Sequence, residues 1–324
     1  MSIDFVASIA ASVAGWWQDL GDRAARFATP IIVASIIAGG LVLTALIDIA
    51  GKRMERETDE SDVRLPVRAH GLRAFISDTA VLAHRNLLIS WRTPQLIIAA
   101  AVMPIMFVLL FRYVFGGAIH VDGYPNYVDY LIPGVIVQTA LFGGSASANA
   151  VAEDLTRGVT DRYRSLPTHR GAILAARTFA DAVRLASTMA ITIGVGMLVG
   201  YRFHNGPLAV LGGVGVALFF GYACSWLFSW LGLAVRNVEA ATMTAFVITF
   251  PLIFAASTFT STATMPDWLR AFADTQPVTH VIDALRALSQ GTGSTLVPTV
   301  QALAWSAGIL LVAVTLSLRR FRYA

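Results

Sequence analysis

Seven long apolar stretches constrain the fold of this chain more than any other feature of its sequence. They cover about residues 28–50, 95–115, 129–151, 173–200, 208–234, 240–262 and 297–318. Each approaches or exceeds the roughly 20 residues that a helix needs to cross the hydrocarbon core of a membrane. Only 14% of the residues are charged, against about 25% in soluble domains. The sequence therefore predicts an all-α polytopic membrane protein, and its short loops leave no room for a separate soluble enzyme domain.

The basic residues predict which end of each span faces the cytoplasm. If 51–93 is cytoplasmic, the cytoplasmic segments hold sixteen basic residues and the opposite segments five. This asymmetry fits the positive-inside rule, so we expect the N-terminus outside and the C-terminus in the cytoplasm. Arginine supplies 23 of the 24 basic residues, which is typical of GC-rich bacteria and favours a bacterial plasma membrane.

The first span is predicted to be an uncleaved anchor. Its basic residues, Lys52, Arg53 and Arg56, follow the apolar stretch, whereas those of a signal peptide precede it. Residues 3–20 show an amphipathic pattern, which fits either a helix on the outer surface or a helix packed against another span.

The remaining chain divides into a linker and a transmembrane domain. Residues 51–71 carry mixed charges and a proline, as expected of a solvated cytoplasmic linker. Residues 72–92 have an apolar face opposite a basic one that includes Arg73 and Arg85, which predicts a helix lying in the inner membrane interface. We therefore expect an N-terminal unit over 1–50 and a transmembrane domain over 72–324, made of this interfacial helix and six spans.

A charged segment, "EDLTRGVTDRYRSLPTHR" at 153–170, joins the third and fourth spans. Acids at its start suit the positive end of a short helix, and Gly158 ends that helix. An ordinary cytoplasmic loop would also be rich in arginine, so charge alone does not assign a role. The spacing E-D-x-x-x-G-x-x-x-R-x-x-x-L-P-x-x-R, however, resembles the cytoplasmic loop of permease subunits of type-2 ABC exporters, in the daunorubicin/doxorubicin-resistance permease family.

A second segment supports this resemblance. "MPDWLRAFADTQPVTHVIDALRAL" at 265–288 is similar to the outer segment that precedes the last span in that family. The resemblance covers about residues 72–324. It implies a six-span core with a cytoplasmic coupling helix and two outer re-entrant helices that form a lid, while the N-terminal span is additional. The matched lid residues include Trp268, Pro277 and Arg286.

The energy source implied by the resemblance is a separate ATPase. The chain lacks the G-x-x-x-x-G-K-[ST] phosphate cradle, so we expect ATP and Mg on two partner ATPase subunits and no cofactor or metal in this chain. A second permease chain, identical or related, is expected to complete the complex; membrane lipids surround it and no nucleic acid is involved. The residues predicted to contact the ATPase are Glu153, Asp154, Arg157, Gly158, Arg162, Arg164, Pro167, Arg73 and Arg85.

Polar and aromatic residues in the third and sixth spans have two interpretations. Small residues between them indicate close helix packing, but the stripes also suit the path of a lipophilic or amphipathic substrate leaving the cell. The candidate path residues are Gln138, Phe142, Ser145, Asn149, Phe250, Phe254 and Thr258.

Charged residues within the spans are few. Arg177, Asp181 and Arg184 are expected near the inner end of the fourth span, as an ion-pair ladder along one face. No span is expected to carry a charge at its middle, which argues against a proton-coupled carrier or an ion channel.

Two other functional classes remain open from the sequence. One is a membrane scaffold or lipid-extraction protein that an ATPase drives without true export. The other is a membrane-embedded transferase, which is disfavoured because the six histidines are scattered and no nucleophile or metal-ligand motif occurs. No catalytic residue is therefore predicted.

Overall fold

The computed structural model describes residues 72–92, 94–116, 119, 121, 123–124, 126–158, 170–291 and 293–323. The predicted N-terminal anchor and linker, residues 1–71, lie outside this part. Within it the chain forms nine α-helices and no strand, which confirms the all-α fold.

The helices follow one another with short connections. They are α1 (Leu72–Arg92), α2 (Pro94–Leu110, continued by a π-helical turn over Phe111–Phe115), α3 (Tyr127–Thr156), α4 (Arg170–Leu198), α5 (Pro207–Val235), α6 (Val238–Phe254), α7 (Asp267–Thr275), α8 (Pro277–Gln290) and α9 (Leu296–Tyr323). Five of them, α2 with its π turn, α3, α4, α5 and α9, are long and apolar enough to cross a membrane. We call the end where α3 ends and α4 begins the charged end, and the opposite end the α8 end.

Helix α3 is the centre of the bundle, and it packs most closely against α5. A Cβ atom on Gly232 would stand 2.4 Å from the Ala148 carbonyl oxygen, and one on Gly144 would stand 2.7 Å from the Cβ of Cys224. The small residues of α3 and α5 therefore let the two backbones approach closely, as small residues do in membrane helix pairs. In this part of α3 the small residues therefore serve close helix packing, the first of the two interpretations of this span.

Helix α6 ends sooner than the sequence predicts. The apolar stretch extends to 262, but the helix stops at Phe254. At 1.5 Å per residue its 17 residues span only about 25 Å, less than the roughly 30 Å hydrocarbon core. The chain continues as an irregular segment, 255–259, and backbone of this kind is tolerated at membrane depth only where protein groups satisfy its polar atoms.

Two short helices follow this segment. Helix α7 ends at Thr275, and Pro277, one of the residues matched to the family, is the first residue of α8. Helix α8 packs against α3, α5 and α9 and buries Val278, Ile282 and Leu285. It is thus part of the core, whereas α7 has a single buried residue, Ala273.

Candidate functional site

The irregular segment 255–259 is held by side chains from α3, from α8 and from the residue between α7 and α8. The Tyr127 and Tyr130 hydroxyls of α3 donate to the carbonyls of Phe259 (2.8 Å) and Ser257 (2.9 Å). The Gln276 amide, between α7 and α8, donates to the Ala255 carbonyl at 2.8 Å. Carbonyls that a helix would satisfy internally are satisfied here by distant side chains.

Arg286 of α8 completes this arrangement. Its guanidinium donates to the Tyr130 carbonyl (3.1 and 3.2 Å), the Ser257 carbonyl (2.5 Å) and the Ser257 hydroxyl (3.0 Å), with a longer contact to the Thr258 carbonyl at 3.4 Å. Its central carbon lies 3.5 Å from the centroid of the Tyr130 ring. The side chain is only 4% exposed, so it is a buried cation that ties α8, α3 and the irregular segment together.

Asp283 is the acidic partner of this group. Its carboxylate lies 3.4 Å from Arg286 and accepts a hydrogen bond from the Ser257 hydroxyl at 3.2 Å. Burial raises the pKa of the carboxyl, while Arg286 and Ser257 act in the opposite direction. A cavity of about 270 Å³ opens beside Asp283 and is lined by Tyr124, Ser261 and Thr262 among others.

The other two residues of the predicted lid are less buried than Arg286. Trp268, on α7, is 74% exposed, and Pro277 is the first residue of α8. Of the three, only Arg286 is buried. The spacing of three between Asp283 and Arg286 signals an ion pair, but no local pattern indicates that Arg286 reaches carbonyls on α3.

A chain of stacked phenylalanines runs between α6 and α2. The ring centroids of Phe250 and Phe254 are 4.4 Å apart, those of Phe254 and Phe259 are 5.3 Å apart, and those of Phe259 and Phe111 are 4.2 Å apart. Phe250 and Phe254 were candidate path residues, but the participation of Phe111 and Phe259 was not anticipated. Phenylalanines recur with a regular spacing of four on both sides of this contact, at Phe246, Phe250 and Phe254 and at Phe107, Phe111 and Phe115. This spacing is the sequence signal that could have indicated the wider aromatic chain.

The other candidate path residues differ in burial and in hydrogen bonding. Gln138 is buried, and its amide has no hydrogen-bond partner among the described residues. Thr258 is buried and donates to the Ile253 carbonyl, and Ser145 donates to the Phe142 carbonyl of its own helix. Asn149 is half-buried. Phe142 lines a second cavity, whose other walls come from α2, α4 and α6.

Charged residues of α4 occupy its middle as well as its end. Arg184 is the central residue of the 29-residue helix and pairs with Asp181 at 3.1 Å. The expectation that no span carries a charge at its middle was therefore wrong for α4, because Asp181 and Arg184 lie well inside the helix and not near its inner end. Arg177 pairs with Asp154 of α3, so the predicted ladder along α4 is divided between two helices.

The charged end brings together part of the predicted ATPase-contacting set. Glu153 and Arg157 form an exposed ion pair at 2.5 Å, and Asp154 is tied to Arg177. Gly158 has φ +68°, a left-handed conformation that glycine adopts without strain and that commonly ends helices. Arg162, Arg164 and Pro167 lie outside the described residues.

Helix α1 lies beside this end, where it packs chiefly against α4. Ala83 and Leu87 are buried and Arg85 is exposed, in agreement with the two predicted faces. Arg73 belongs to the same helix, but its side chain is outside the described residues.

Comparison with known proteins identifies the family of this bundle. The profile of the ABC-2 type transporter family matches residues 77–289, a range that contains both the charged end and the α7–α8 segment. The chain belongs to the ABC-2 type transporter family. Its membership makes it a multi-pass membrane permease, a transport component rather than a catalytic subunit.

Several relatives of this permease are named for drug resistance. A daunorubicin resistance ABC transporter permease protein of Streptomyces coeruleorubidus is 33% identical over 246 residues, which cover 75% of this chain and 86% of that protein. A protein of Mycobacterium tuberculosis named a probable doxorubicin resistance ABC transporter permease is 28% identical over 263 residues, or 79% and 92% of the two chains. A doxorubicin resistance permease of the same species is 26% identical over 170 residues, or 52% and 59%.

Proposed function

We propose that this permease moves a lipophilic or amphipathic molecule outward across a bacterial plasma membrane, driven by ATP hydrolysis on a separate subunit. The similarity to drug-resistance permeases over three quarters of the chain carries the proposal. The sequence has no phosphate cradle of its own, so the energy has to reach it through a protein surface. Two ATPase subunits and a second permease chain, identical or related, complete the proposed complex.

The charged end is the proposed ATPase-binding surface. The connection between α3 and α4 carries the motif matched to the family. The Asp154–Arg177 ion pair links the last part of α3 to α4. A force applied to this connection would therefore be transmitted to both α3 and α4. In this arrangement the charged end faces the cytoplasm and the α8 end faces outward, with the N-terminus outside.

Transport by a reconstituted complex tests this function. We expect the permease, purified with its ATPase and inserted into liposomes, to move doxorubicin or a fluorescent phospholipid only when Mg-ATP is supplied. Probe movement would be followed by fluorescence, with a non-hydrolysable ATP analogue as the control. ATP hydrolysis without movement of any probe would favour a non-transporting scaffold and contradict the proposal.

Helix α7 is proposed to dip into the outer leaflet as part of a lid. Trp268 and Phe272 lie on one face and Arg270 and Asp274 on the opposite face, yet all four are exposed in the protein. Exposed tryptophan and phenylalanine side chains suit a membrane interface better than water.

Cysteine labelling distinguishes a membrane-dipping α7 from a solvated one. In a Cys224→Ser background, we expect Trp268→Cys and Phe272→Cys to resist a membrane-impermeant maleimide about tenfold more than Arg270→Cys and Asp274→Cys, since lipid excludes the reagent. Labelling after denaturation in SDS gives the total for each variant. Equal labelling at the four positions in membranes would contradict the lid.

A further inference from the structure

A second cavity, of about 310 Å³, lies between α2, α3, α4 and α6. Its walls are mainly apolar, and they include Met103, Pro104, Phe142, Ala146, Leu185 and Phe246. At 1.5 Å per residue, Phe246 is about 12 Å and Phe142 about 21 Å from the charged end of their helices. The cavity therefore lies deep along the helices, away from both ends of the bundle.

The Asp181–Arg184 ion pair forms the polar side of this cavity. The side chains of these residues are 13% and 24% exposed, respectively. An ionisable residue inside a membrane span is costly, and such residues usually mark a substrate or ion pathway. The pair stands beside an apolar cavity of ligand size, which is the combination typical of a small-molecule site.

The hydrogen bonds of the pair indicate which ligand chemistry fits. Both Asp181 oxygens are engaged, one by Arg184 at 3.1 Å and the other by the Ser147 hydroxyl at 2.7 Å. Arg184 has five N–H groups, and among the described residues its side chain makes only that one hydrogen bond. The remaining N–H groups of Arg184 are hydrogen-bond donors. A ligand that binds them would therefore present an acceptor, such as a carbonyl or a carboxylate.

The cavity opens between α2 and α6, since exposed residues of both helices line it, and Phe246 of α6 is 50% exposed. Ala99, Ala100 and Met103 line it and are exposed at the protein surface. Only 17% of the spanning window of α2 is buried inside this chain, so most of the helix faces its surroundings, which in a membrane are lipid tails wherever the second permease chain does not cover them. A ligand would consequently reach the cavity sideways from the leaflet rather than from water.

We propose that this cavity is a loading site for a compact apolar molecule that carries one carbonyl or carboxylate group. The aromatic rings of Phe142 and Phe246 contact the apolar body, and Arg184 donates to the acceptor. The ring of Phe246 also contacts that of Phe250 in a tilted arrangement, at 5.3 Å between centroids, and Phe250 begins the phenylalanine chain leading toward the α8 end. The inference deepens the proposed export function and rests on it.

A matched pair of substitutions on α2 tests the cavity without touching its charges. Met103 lines the cavity and Met106 does not, although the two side chains are 53% and 56% exposed, respectively. We expect Met103→Trp to weaken binding of 1-pyrenebutyrate about tenfold by filling the cavity, and Met106→Trp to leave it unchanged. Binding is measured by equilibrium dialysis against nanodiscs, with empty nanodiscs subtracted. Equal affinities in the two variants would overturn the site.

A double substitution tests the role of Arg184. Asp181→Asn with Arg184→Gln removes both charges together, so no unpaired ion remains. Because a hydrogen bond to a charged group contributes more than a neutral one, we expect about tenfold weaker binding of 1-pyrenebutyrate. Binding of 1-pyrenebutylammonium, which has no acceptor, should change little. An unchanged affinity for 1-pyrenebutyrate, or equal losses for both probes, would overturn the acceptor assignment.

These measurements use the permease alone, without ATP or its partner. A failure of probe binding would remove the loading site and leave the export function intact. Normal probe binding by a complex that fails to transport would instead contradict the export function and leave the cavity as a ligand site.

Discussion

Replacing Arg286 by methionine is expected to destabilise the permease by several kcal/mol, since each buried acceptor that loses its donor costs about 1–3 kcal/mol. The substitution keeps an unbranched side chain but leaves the Tyr130 and Ser257 carbonyls without their guanidinium donor. Lysine at this position is expected to restore little, since a compact ammonium lacks the planar fork that serves several acceptors at once.

The protein contains its own reporter for this experiment. Cys224 is the chain's one cysteine and it is buried, so a thiol-reactive fluorescent dye reports unfolding on heating. Arg270→Met is the matched control, because Arg270 is 52% exposed and its pair with Asp274 is a surface contact, worth less than about 1 kcal/mol. The same melting curve for Arg286→Met and Arg270→Met would refute a structural role for the buried arginine.

Reversing the charge of Arg162 is expected to abolish ATP-driven transport while the permease still inserts and folds. If the loop binds the ATPase, a reversed charge in the contact costs about 2–5 kcal/mol, which corresponds to roughly a 30-fold or greater loss of affinity for the ATPase. The Cys224 melting curve should not change, because the proposed role of Arg162 is to contact the ATPase and not to hold the helices of the permease together.

Arg320→Glu provides the control for this prediction. Arg320 is exposed near the end of α9, on the same proposed cytoplasmic side. The substitution Arg320→Glu therefore changes the net charge by the same amount as Arg162→Glu, but away from the loop. Co-purification of the ATPase and the rate of ATP-dependent probe transport would be measured for both variants. Normal transport by Arg162→Glu would show that the loop does not couple the two subunits through this residue.

The helices and their order follow from the sequence because the bilayer imposes a simple length rule. Pro277 likewise marks the start of α8, since a proline fits the first position of a helix. The spacing of three also indicated the Asp181–Arg184 pair. These features depend on residues that are close together in the chain.

Features that depend on distant residues could not be predicted in this way. Arg286 bonds to Tyr130 across 156 positions, and the apolar composition after Phe254 gives no sign that the helix stops there. Arg177 had a possible partner four residues later in Asp181, but it pairs with Asp154 because the packing of α3 on α4 brings the two together. Tertiary packing decided each of these cases.

The irregular segment after α6 also determines where the chain can change in length. Its carbonyls at 255, 257 and 259 each accept from a particular distant side chain, so inserting or deleting one residue between Phe254 and Phe259 would disturb this register. Among the described residues of the connection between α8 and α9, 291 and 293–295, the one carbonyl bonded to a side chain is that of Thr295, which accepts from nearby Thr299. A Cβ atom on Gly293 would meet nothing within 4 Å. Related permeases should therefore keep the number of residues after α6 constant and vary in length before α9.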